Sequence, residues 1–84
     1  MRVEYDRDTC IGMFQCVEEW VGFEQDVDAG KARLVDGEPV EADWGAEVYA
    51  VEVPDDETFA AEFSGRACPV DAIRVFDDDG ERVV

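Results

Sequence analysis

Apolar and polar residues alternate from Arg2 to Tyr5, with Val3 and Tyr5 on one face, and predict a short β-strand. After a polar turn over Asp6-Arg7-Asp8-Thr9, the apolar residues fall at helical spacing from Phe14 to about Phe23. Phe14, Val17 and Val21 make one line, and Cys16, Trp20 and Phe23 an adjacent one. The polar run Glu24-Gln25-Asp26 closes that helix, and a turn cluster follows to Gly30. Lys31 to Val35 reads as a second strand, ended by Asp36-Gly37.

Glu38 to Gly45, with Pro39 and three acids, reads as irregular surface chain over which Trp44 folds back as a cover. Glu47 to Val53 alternates again and predicts a third strand. Pro54-Asp55-Asp56-Glu57 starts a second helix, with an aspartate as cap and acids complementing the dipole. Phe59, Phe63 and Ala67 recur every four residues as its buried stripe, and Pro69 ends it just after Cys68. Ala72 to Phe76 is a strand, Asp77-Asp78-Asp79-Gly80 a turn, and Glu81 to Val84 a returning partner strand. This order predicts one α+β domain over 1–84, with two helices packed on a small antiparallel sheet and a surface insertion at about 38–53.

Length sharpens that picture. At 84 residues the chain has room for one small core, and such domains commonly need a covalent or metal staple. No apolar run is long enough to span a membrane, and Met1-Arg2-Val3-Glu4 does not begin a signal peptide, so the expectation is a cytoplasmic protein. Charge excludes more. With 23 acids against seven bases, a net charge of −16 and Lys31 as the single lysine, the surface repels phosphate, so nucleic acid is not expected as a partner. The acids are spread along the whole chain, which points to a surface adapted to concentrated salt; docking on basic redox partners is the second reading of the same charge.

The candidate chemistry lies in three cysteines. Cys10 and Cys16 flank Ile11-Gly12-Met13-Phe14-Gln15, and Cys68 stands more than fifty residues on, directly before Pro69. An odd count cannot pair off internally, and thiolates without any histidine favour an iron–sulfur cluster over the common mixed zinc sites. A zinc site of the three cysteines and a carboxylate is the weakest alternative, lacking the usual C-x2-C pair. Asp55-Asp56 is better explained by helix capping than by acid–base catalysis, and Asp77 to Gly80 lacks the distal glutamate of a calcium loop. Trp20 and Trp44 read as packing residues, not electron relays.

Asp8-Thr9-Cys10-Ile11-Gly12, Cys16 and Ala67-Cys68-Pro69-Val70-Asp71-Ala72-Ile73 resemble the single-cluster members of the bacterial-type ferredoxins. The resemblance covers about Val3 to Phe23 and Pro54 to Phe76, and leaves out Glu38 to Val53. It implies a ferredoxin-like fold with cluster ligands Cys10, Cys16 and Cys68 and with Ile11, Gly12, Met13, Phe14 and Pro69 as cluster neighbours. Val70 and Ile73 would complete the apolar shell. A second-cluster ligand is missing, because the position four after Cys16 is Trp20. Met13 departs from the pattern at the position that faces the fourth iron of a cubane. A thioether is uncharged and holds iron less firmly than a thiolate, so three cysteines imply a 3Fe-4S cluster, with 4Fe-4S as the alternative.

The implied activity is single-electron transfer between a ferredoxin reductase and an acceptor such as a monooxygenase or another oxidoreductase. On that reading the chain is a monomer that catalyses nothing itself. A structural or sensing module, whose cluster only holds the fold or reports iron and oxygen, is the reading from another class.

Overall fold

The computed structural model describes residues 1–84. Strand β1 (Arg2–Asp6) lies inside a four-stranded antiparallel sheet, between β5 (Val48–Glu52) and β6 (Ile73–Phe76), and β4 (Glu38–Val40) forms the edge beyond β5. The register sets Val3 opposite Val51 and Val75, and Tyr5 opposite Tyr49 and Ile73, so these side chains share one face. A separate hairpin pairs β2 (Phe23–Asp26) with β3 (Lys31–Leu34). Helix α1 (Gln15–Glu19) packs against α2 (Thr58–Ala67), and α2 lies on β6. Two helices and antiparallel sheets make the domain α+β, as the apolar periodicity predicts.

One core gathers these pieces. Val3, Tyr5, Ile73 and Val75 meet Cys16 and Trp20 of the α1 segment, Phe23, Ala32 and Leu34 of the hairpin, and Ala61 of α2. Phe23 stands edge-on to both Tyr5 and Trp20, with ring centroids 5.3 and 5.5 Å apart. Each such pair contributes about 0.5–1.5 kcal/mol beyond its burial.

Several elements differ from the sequence expectations. Helix α1 spans only Gln15–Glu19, because Trp20 turns extended and drives its indole into the core. No basic residue in its last turn complements the helix dipole. Phe23 is therefore a strand residue, and Val21, expected on the buried face, is exposed. The stretch 38–53, expected as a surface insertion, supplies the inner strand β5 where a strand was expected over 47–53, and also the edge strand β4 where irregular chain was expected, with Val48, Ala50 and Val53 buried. Trp44 does fold back: its indole N–H donates to Glu4 at 3.0 Å and the Arg74 guanidinium sits 4.4 Å from its ring centroid.

Helix α2 differs most. Phe59 and Phe63 are 78% and 54% exposed, while Ala61, Ser64 and Gly65 are buried. A Cβ on Gly65 would lie 2.9 Å from Val84 and 3.1 Å from Val75, so the helix approaches β6 too closely for a phenyl ring to fit between them. A 3-10 turn (Asp55–Glu57) precedes α2, and no side chain caps either segment. The capping role expected for the aspartates is thus absent, and their dipole complement remains. Asp77 to Gly80 forms the expected turn, with the Asp77 carboxylate accepting the amides of Asp79 and Glu81 at 3.0 and 2.9 Å. The last residues return as a single bridge, Phe76 to Arg82, not as a full strand. No helix is long and apolar enough to cross a membrane.

Candidate metal centre

The end of β1 launches the loop that carries Cys10, and a buried carboxylate shapes its start. Asp6, 2% exposed, accepts the Asp8 amide at 3.1 Å, the Thr9 hydroxyl at 2.5 Å and the Glu47 amide at 3.1 Å. Burial alone would raise this carboxyl, but those donors and the nearby Lys31 hold it below the usual carboxylate range. Opposite, the Lys31 ammonium donates to the carbonyls of Arg7, Asp8 and Cys10 at 2.7, 3.1 and 3.1 Å.

Beyond Cys10 the loop bends through positive φ at Gly12 (76°) and again at Phe14 (59°), which precedes α1. At Gly12 a Cβ would come within 2.3 Å of the Gly30 carbonyl oxygen, so only glycine lets the loop seat on the β2–β3 turn. For Phe14 the left-handed conformation costs about 1–2 kcal/mol. That cost is tolerated where packing on both sides fixes the chain. Cys16 then falls in the first turn of α1 and is buried. The third cysteine ends α2: Cys68 is extended, as a residue before proline prefers. Asp71 follows in a left-handed conformation (φ 54°), which brings the Ala72 amide back to the Cys68 sulfur at 3.4 Å.

These three segments converge on one small pocket, lined by Cys10, Cys16 and Cys68 together with Ile11, Met13, Phe14, Gln15, Pro69 and Val70. The structure thus brings together every expected site residue except two. Gly12 contributes its amide to the Cys10 sulfur at 3.5 Å and does not line the wall. Ile73, expected in the apolar shell, is instead packed in the sheet core. Neither tryptophan lines the pocket; Trp20 is core, its N–H on Glu57 at 2.9 Å. The other clefts, such as the one among Arg7, Arg33, Asp36 and Tyr49, contain no cysteine.

The donor set fits an iron–sulfur group. Two amides, from Gly12 and Ala32, point at the Cys10 sulfur at 3.5 Å each, and Ala72 points at Cys68, as thiolate ligands require. Burial raises the Cys10 thiol, but the Tyr5 hydroxyl, these two amides and Lys31 hold it below its ordinary value. Burial, with the negative charge of Cys10 and Cys68, pushes the Cys16 thiol up to about 11. Iron held there would offset that penalty, because a bound cation favours the thiolate form. No three Cys, Asp or Glu side chains approach closely enough to share a single ion.

Sequence reasoning missed the supports of the loop. Asp6 was legible in principle, because an aspartate three residues before a threonine commonly folds its carboxylate over the turn. The Ala32 amide carries no side-chain signal and needs the hairpin to be seen.

No curated protein and no solved structure matches the chain. One family, described as the 4Fe-4S single cluster domain, matches residues 3–75, and this covers both cysteine segments and the sheet between them. With that match over most of its length, the chain belongs to the single-cluster 4Fe-4S domain family.

Proposed function

We propose that this protein is an electron-carrying ferredoxin whose Cys10, Cys16 and Cys68 hold one 3Fe-4S cluster and pass single electrons between a reductase and an acceptor oxidoreductase such as a monooxygenase. The observation that carries the reading is the convergence of all three cysteines on one apolar pocket, with backbone amides aimed at two of the sulfurs. When bound, the cluster supplies a centre that gains and loses one electron.

The chain's own residues do the rest. Ile11, Met13, Phe14, Pro69 and Val70 limit water around the sulfurs, and the Gly12, Ala32 and Ala72 amides stabilise thiolate charge. Ile11 and Met13 are exposed on the rim, which gives a partner a short approach to the pocket. Met13 stands at the wall as an apolar neighbour in this reading.

A second reading, a 4Fe-4S cluster with Met13, water or an exogenous ligand at the fourth iron, is favoured by the description of the matched family. The acidity, net −16, supports a protein of a salt-rich cytoplasm. The test is protein purified without oxygen, reduced and reoxidised by mediated titration, and then offered to a ferredoxin-dependent acceptor. Reversible uptake of one electron per chain and its delivery support the carrier. A cluster that holds the fold but never cycles, or that responds only by breaking down in air, would make the protein a structural or sensing module. Serine at Cys10, Cys16 or Cys68 in turn is expected to abolish stable cluster loading.

A further inference from the structure

Lys31 is the single lysine in a chain with 23 acids, yet it forms no ion pair. The cations of four arginines do: Arg2 with Glu4, Arg7 with Asp26, Arg33 with Glu24 and Arg66 with Glu62. Lys31 instead donates to three backbone carbonyls of the Cys10 loop, those of Arg7, Asp8 and Cys10, all within 3.1 Å. Its neighbour Ala32 sends an amide to the Cys10 sulfur, and Gly30 receives the loop at Gly12. The start of β3 is therefore a clamp on the first cysteine, and its one charge is positive and without a carboxylate partner.

We propose that Lys31 is a positioning residue that sets the reduction potential of the site, through an unpaired ammonium held against the Cys10 loop. This rests on the electron-carrier reading. Adding an electron makes the centre more negative, and each of the surrounding acids disfavours that step, whereas a nearby cation favours it. Lys31 is seated on backbone carbonyls with no carboxylate at ion-pair distance, and Asp6, the acid it acts on, is already held by two amides and a hydroxyl, so the Lys31 charge is only partly offset. It therefore raises the potential in a molecule whose net charge otherwise lowers it.

The test is a mediated redox titration of the cluster-loaded protein in concentrated salt, comparing wild type with Lys31→Met, Lys31→Gln and Lys31→Arg, with iron per chain measured on the same samples. Lys31→Met and Lys31→Gln are expected to keep their iron and to lower the equilibrium constant for reduction about tenfold, a shift of ~59 mV to more negative potential for one electron. Lys31→Arg keeps the charge and is expected to stay within about twofold of wild type.

Neutral variants that retain iron and titrate with the wild type would overturn the assignment. Should the neutral variants fail to load, Lys31→Arg decides: loading at the wild-type potential supports a role for the charge, and failure to load overturns it. Wild-type protein without a reversible one-electron step would instead defeat the electron-carrier reading, and the inference with it.

Discussion

At the scale of single residues, the cluster loop depends on polar side chains that never touch the pocket. Asp6 is the clearest case, since its carboxylate satisfies two amides and a hydroxyl from a position almost without solvent. Asp6→Asn replaces one accepting oxygen by a donor and leaves at least one of these groups unmatched. The expected loss is about 1–3 kcal/mol at neutral pH, read from denaturant midpoints. The folded-state carboxyl titrates below its unfolded value near ~3.9. Its contribution is thus fully present above that value and lost as pH falls through the lower, folded one. The gap between wild type and Asp6→Asn should accordingly close below about pH 4. A gap that stays constant down to acid unfolding would mean the carboxylate charge plays no part in holding the loop.

At the scale of elements, what the sequence made legible and what it hid have the same origin. Strands β1, β5 and β6 were readable because Val3/Tyr5, Tyr49/Val51 and Ile73/Val75 alternate against polar neighbours. The three cysteines were marked by their spacing and by the Cys68-Pro69 pair, and the resemblance supplied most of their apolar neighbours, Ile73 excepted. Helix α2 was found with the wrong face inward: its phenylalanines give the stronger periodic signal, but close approach to β6 selects the small residues Ala61, Ser64 and Gly65. Tertiary packing overrode hydrophobicity there. Strand β2 was hidden because Glu24 and Gln25 are exposed in a two-stranded hairpin, where only Phe23 must be apolar. This orientation of α2 has a direct consequence. Phe63→Ser is expected to change stability by no more than about 1 kcal/mol, whereas Gly65→Leu, overpacking the contact with Val75 and Val84, should cost about 1–3 kcal/mol or more. Thermal melts of the two variants check the orientation; a larger loss at Phe63 would contradict it.

At the scale of the whole molecule, net charge and a small core oppose each other. Four arginines and the N-terminus form ion pairs, which leaves most of the 23 acids facing solvent without a cation. Raising salt from 0.1 to 1 M shortens the Debye length from about 10 to 3 Å and screens that repulsion. The melting temperature is therefore expected to rise steadily over this range, and a midpoint independent of salt would contradict salt adaptation. On the proposed function, the staple that offsets the small core would be the cluster, joining the Cys10–Cys16 loop to the exit of α2. The decisive measurement is iron and labile sulfide per chain, with EPR spectra before and after reduction, on protein purified anaerobically in concentrated salt. Three irons with a paramagnetic signal in the oxidised state is the predicted result, with Met13 a bystander at the pocket wall. Four irons with a signal only after reduction would contradict the three-iron cluster and place a ligand at the Met13 corner, and zinc or no metal in the folded protein would contradict the electron carrier altogether.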